Sequence, residues 1–193
     1  PSPGVPPSTA TAAATATTAP PGDIAAVPPA AGPVTGVGTV IEAPAGGPQL
    51  CLGPVAESAP PQCEGVPLSG WDWARAGVQE QAGSGDAVTR WGTYAVTGDF
   101  DGRVLSVGST VPLALYDVAA PPSPRPVAPP EKSTQEWAEV QEWAGLLPGA
   151  LAVTTDGPTG PVYVTVVHDD GSLQAEAVAT HGAGAVLVTS ALR

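Results

Sequence analysis

The chain has 193 residues and a formal charge of −12, from 18 acidic against 6 basic side chains. That balance repels polyanions, so DNA, RNA and anionic membrane surfaces are not expected partners; affinity for them comes from Lys and Arg neutralising phosphates. A single lysine and phenylalanine, two isoleucines and no asparagine or methionine stand beside abundant Ala, Gly, Pro and Val, a bias of high-GC coding rather than of an activity. No apolar run approaches the roughly 18 residues of a membrane-spanning helix, so no transmembrane segment is expected.

Residues 1–35 are rich in Pro, Ala and Thr, with only Val5, Ile24, Val27 and Val34 as larger apolar residues. Such a segment buries too little surface to offset the entropy of ordering it, which predicts a disordered tether. From residue 36 to 117 the pattern changes to short β-prone runs bounded by Gly or Pro: GVGTVIEA, PQLCLG, GVPLSGWDW, TRWGTYAVTGDF and GRVLSVGSTVPLALY. Asp101-Gly102 reads as a hairpin turn between two of them, and ARAGVQEQAGSGDA, residues 74–87, as a polar loop with at most one helical turn. Several short strands without a convincing helix predict a small β-barrel of the five-stranded OB type, with a small sandwich as the alternative.

Cys51 and Cys63 enclose LGPVAESAPPQ, which is too polar and proline-broken for a helix, and no second cysteine pair accompanies them. A disulfide is the favoured reading over two free buried thiols, and it would stabilise the barrel by about 2–3 kcal/mol through loop-closure entropy. Disulfides persist outside the cytosol, so an extracytoplasmic location is expected.

A proline-dense stretch at residues 118–132 predicts a semi-rigid spacer. Beyond it, residues 133–193 form a second unit. Ser133 and Glu136 have capping-box spacing, and Trp137, Val140, Ala144 and Leu147 follow at helical intervals. Pro148-Gly149 ends that helix, and ALAVTT and PVYVTVVH read as paired strands across Asp156-Gly157-Pro158. LQAEAVAT is compatible with a strand, but its alanines favour a helix with Ser172 as N-cap and Gly182 as C-cap, leaving AVLVTSAL as the last strand. The unit is thus α-β-β-α-β and the whole chain α+β. Each unit is small enough to want a partner surface, so the two are expected to fold separably and to touch through Trp137 or Trp143.

Few residues suggest chemistry. Asp99 and Asp101 in GDFDG resemble the first half of a calcium loop, although Arg103 occupies the third ligand position and no closing glutamate follows. His168, Asp169 and Asp170 form a weak metal or acid–base cluster, and His181 is the second of the two histidines. There is no nucleophile elbow, S-x-x-K, P-loop or dinucleotide fingerprint, so an enzyme is not expected and no cofactor is implied. Trp71, Asp72, Trp73 and Trp91 form the candidate binding surface: on a strand Trp71 and Trp73 would share a face, available to a sugar ring or a peptide. The competing reading is that these indoles fill a barrel otherwise built of small residues. Trp91 and Tyr94 fall on opposite faces of a regular strand.

PQLCLG, SAPPQCEG, GWDW and WGTYAVTGDFDG, with the ending GAGAVLVTSALR, resemble a family of secreted or lipid-anchored proteins of high-GC actinobacteria to which no activity is assigned. That resemblance implies a cell-envelope setting and nothing about mechanism. The sequence therefore points to a non-catalytic secreted or cell-surface module for a protein or glycan partner. The alternative is a small extracytoplasmic hydrolase or metal-dependent enzyme built on His168, His181 and neighbouring aspartates.

Overall fold

A computed structural model describes residues 26–56, 58–117 and 127–193. Most of the expected tether and of the proline-dense spacer, residues 1–25 and 118–126, lies outside these. Among the described residues the fold is mixed α+β and mostly strands, with three α-helices.

The first unit contains β1 (Val34–Glu42), β2 (Gln49–Cys51), β3 (Val66–Ser69), α1 (Trp73–Ala76), β4 (Glu80–Ser84), β5 (Ala87–Phe100) and β6 (Leu105–Pro112). The sheet order is β1-β2-β3-β6-β5-β4, and β1 also pairs with β5, so the sheet curls into a partly closed ring. That closing ladder is antiparallel from Val34 opposite Gly98 to Glu42 opposite Arg90. The parallel β3–β6 contact is short, joining Leu68 to Leu105 and Ser69 to Ser106. Alternation along β5 puts Tyr94, Val96 and Phe100 in the ring's main apolar cluster. Trp91 lies outside it, in a second cluster with Ile41 and the disulfide.

The Asp101-Gly102 turn forms because Asp101 Oδ1 accepts the N–H groups of Arg103 and Val104 at 2.8 and 2.7 Å, while Gly102 takes φ 96°. Two expectations for this unit are corrected. The segment 74–87 opens on the one helical turn expected, in α1, but is otherwise not a loop, since it holds β4; β4 lacks alternation because it is an exposed outer strand, fixed by pairing with β5 rather than by burial. The expected tether does not run to residue 35. Val27 and Ala30 pack on the ring core, the Ala30 N–H donates to the Phe100 carbonyl at 2.9 Å, and β1 has begun by Val34.

Gln79 completes the edge of β5 between β4 and β6. Its side-chain amide donates to the Thr93 carbonyl at 3.0 Å and accepts the Thr93 N–H at 3.1 Å, standing in for a strand residue.

The second unit has the expected order: α2 (Thr134–Gly145), β7 (Ala150–Thr155), β8 (Val162–Val166), α3 (Ser172–His181) and β9 (Val186–Ser190). Ser133 and Glu136 make the capping box, and Trp137, Val140, Ala144 and Leu147 are buried. In the sheet β7-β8-β9, the first pair is antiparallel and the second parallel, so α3 is the crossover. Ser172 is not the N-cap. Gly171 is, and the Asp169 carboxylate takes the N–H groups of Gly171, Leu173 and Gln174.

The units share a seam. Leu192 and Val167 enter the ring's cluster, and Thr35 and Arg193 exchange backbone hydrogen bonds of 2.7 and 3.2 Å. Neither tryptophan expected there takes part: Trp137 is in the second unit's own core and Trp143 packs on His181.

Candidate functional site

The aromatic surface expected at Trp71, Asp72 and Trp73 is built differently from a strand face. Asp72 N-caps α1, its Oδ1 accepting the Ala74 N–H at 2.8 Å, so the two indoles flank a cap. They turn inward against Tyr94: centroids are 5.1 Å apart for Trp71–Trp73 and Trp71–Tyr94 and 6.2 Å for Trp73–Tyr94, all edge-to-face. Tyr94 is fully buried, and its hydroxyl donates to the Gly77 carbonyl. Burial raises the phenol's pKa, partly countered by Gln79. Trp73 Nε1 donates to the Glu42 carboxylate, which Arg90 approaches at 3.9 Å.

Glycine makes this packing possible, because a Cβ on Gly92 would meet the Tyr94 ring at 2.8 Å. The trio therefore packs as one aromatic cluster on the ring's apolar core. Trp91, 9% exposed, packs on the other side over Cys51, Cys63, Ile41 and Val55. These indoles contribute to packing rather than to an open stacking platform.

Of the weak metal candidates, Asp101, Asp169 and Asp170 are engaged by backbone N–H groups of turns and a helix start. Backbone N–H groups of Val104 and then Arg103 hold the Asp101 carboxyl below the usual range, and Asp99 is exposed on β5 opposite Ser106. Asp169 caps α3, and the Ser172 hydroxyl holds Asp170 low. His168 faces the seam, with Nδ1 3.0 Å from the Leu192 carbonyl and the ring edge-to-face with Phe100 at 6.1 Å. His181 sits at the far end of the ten-residue α3, about 15 Å of helix away. It packs at 4.6 Å on Trp143, with Nε2 buried and unpartnered. Burial, then Lys132, lowers the His181 pKa. Among the described residues, no three His, Cys, Asp or Glu side chains are grouped to hold a metal.

Among the described residues, a cleft of about 210 Å³ lies at the seam between the two units. Leu50, Leu52 and Val66 form its ring-side wall, Leu151 and Val167 the opposite wall, and Val27 one end, with Glu64 and Arg103 also lining it. Two glycines let the chain approach so closely. A Cβ on Gly149, at φ 71°, would meet Val27 Cγ2 at 2.8 Å, and one on Gly102 would meet the Val27 carbonyl at 2.8 Å.

Sequence reasoning missed this site because its walls are ordinary aliphatics far apart in the chain. The one local signal was the pair Leu50 and Leu52 flanking a disulfide cysteine. No family model, curated protein or solved structure matches the chain.

Proposed function

We propose that the protein is a non-catalytic, extracytoplasmic binding module that receives an apolar side chain of a protein partner in the cleft between its two units. The aliphatic cleft carries this reading. At about 210 Å³ it is smaller than the roughly 300–1,000 Å³ of small-molecule sites and suits one large side chain.

We read the ring as an OB-type barrel, in which ligands engage the face of strands 2 and 3 and the loop between the last two strands. The corresponding parts here are β2, β3 and the Asp101–Val104 turn, and Leu50, Val66 and Arg103 line the cleft. Aliphatic walls, with Trp71, Trp73 and Trp91 committed to packing, favour a peptide over a glycan. The disulfide fits a location outside the cytosol. The enzyme reading lacks comparable support: His168 precedes α3 while His181 is the last residue of that helix, and the adjacent aspartates are engaged by backbone N–H groups.

Backbone NMR of the full chain titrated with short peptides, each carrying one aliphatic side chain, tests the proposal. Shifts should concentrate at Leu52, Gly65 and Leu151, and Leu52→Asp should abolish them. Shifts confined to Trp71, Trp73 or Trp91, or none with any peptide, would overturn it.

A further inference from the structure

We propose that the Cys51–Cys63 disulfide is a redox control on the cleft, holding its ring-side wall in the binding conformation; this rests on the cleft being the binding site. The wall consists of the immediate neighbours of the two cysteines. Leu50 and Leu52 flank Cys51, and Glu64, Gly65 and Val66 follow Cys63.

A short ladder fixes these segments to each other, flanked by one bond from the Leu68 N–H to the Pro48 carbonyl at 2.9 Å, while β1 holds β2 from Thr39 opposite Cys51 to Ile41 opposite Gln49. β2 has three residues, and its ladder with β3 joins only Gln49 to Pro67 and Leu50 to Val66. Among its described residues, the intervening loop contributes one isolated bridge, Ala56 to Gln62. The Gln49 side chain spans the gap, donating to the Cys63 carbonyl at 3.3 Å and accepting the Gly65 N–H at 3.2 Å, both at the long end for such bonds. The S–S bond is therefore the strongest tie between the two halves of the wall. The opposite wall, from Leu151 and Val167, belongs to a sheet with its own helix-covered core.

Access favours reduction at one sulfur. Cys51 is buried, whereas Cys63 is half-buried. A thiolate of a dithiol reductant attacks Cys63 Sγ, and Cys51 leaves as thiolate with the bonding electron pair. The reductant's second thiol then displaces Cys63 and closes its own disulfide. Two electrons and two protons pass to the protein, leaving two thiols. Among the described residues of this loop the Ala56–Gln62 bridge and local packing remain, so Leu52 and Glu64 lose their fixed spacing.

The test compares amide exchange by mass spectrometry in the oxidised full chain, the same chain treated with dithiothreitol, and Cys63→Ala without reductant. Peptides covering residues 49–53 and 63–66 should exchange at least ten-fold faster in both reduced states, with β7, β8 and β9 unchanged, and aliphatic peptides should no longer shift Leu52. Unchanged exchange at those segments would overturn the proposal. So would loss of protection throughout β7–β9, which would make the bond a staple of the whole fold. If the wall loosens yet peptides still bind the reduced protein equally well, redox control falls and the binding reading stands. If no peptide binds even the oxidised protein, both fall.

Discussion

The two units bury apolar surface in different ways. In the second, Val162, Val164 and Val166 of one central strand meet Trp137, Val140 and Ala144 of α2 and Leu173 and Ala177 of α3. Each of those elements carries its own period, and each contact is a helix laid on a strand close to it in sequence. In the ring, Val34 and Val40 meet Tyr94, Val96 and Phe100 across a ladder that brings β1 to β5. Loop closure must be offset before such contacts form. The ring accordingly uses two devices not found among the described residues of the layered unit: a packed trio of aromatic rings and a disulfide. A unit stabilised by closure depends on its tie points, and one of these, Leu192, comes from the other unit.

That dependence can be broken most severely at the seam. Leu192 is fully buried in the ring's cluster although it ends the second unit. Leu192→Ala should cost about 3 kcal/mol and lower the denaturation midpoint of both units together. Tryptophan fluorescence and far-UV circular dichroism giving two separated transitions in the wild type would show that the seam does not couple them.

A somewhat smaller effect is expected within the ring. A Cβ on Gly38 would lie 2.0 Å from the Cys51 carbonyl oxygen. Gly38→Ala should therefore cost about 2–3 kcal/mol, with the loss of amide protection centred on β1 and β2. Equal loss across β7–β9 would contradict the distinction drawn between the units.

The layered unit has its own vulnerable place, the outer edge of β9. The Gln174 amide donates to the Val186 carbonyl at 3.0 Å and accepts the Val188 N–H at 2.9 Å, covering that edge as a strand would. Gln174→Ala should cost about 1–2 kcal/mol and promote concentration-dependent association through the uncovered edge. Sedimentation velocity showing a monomer at all concentrations would refute the guarding role.

The smallest expected effect is a pH dependence localised to α3. Burial lowers the His181 pKa, so the folded state binds fewer protons than the unfolded one just below the ordinary imidazole value. Stability should fall as pH drops from about 7 to about 5, before the lowered carboxyls of Asp101 and Asp170 titrate. Urea denaturation of His181→Phe should lose that slope, and a slope unchanged from wild type would assign it elsewhere.

Legibility followed the same division. The α-β-β-α-β order could be read because Trp137, Val140, Ala144 and Leu147 repeat at helical spacing and PVYVTVVH alternates. The capping box at Ser133 and the closing glycine of α3 were local signals that survived folding. β4 could not be read, since Glu80 to Ser84 have no buried face and are strand only because β5 is beside them. The same holds for Trp71 and Trp73. Their spacing suggested a shared strand face, yet Asp72 capping α1 and the position of Tyr94 across the ring decided their orientation.

The sequence by itself determined what depends on neighbours along the chain: charge, the turn at Asp101-Gly102, the capping box at Ser133 and alternation within β5. Tertiary structure alone decided which strand closes on which, that the C-terminal Leu192 completes the ring's core, and that Leu50, Leu52, Leu151 and Val167 face one another across a cleft. The physical reason is range. Propensity and capping act over a few residues, whereas burial is indifferent to sequence separation, so a site made of ordinary aliphatics is invisible until the chain has folded around it.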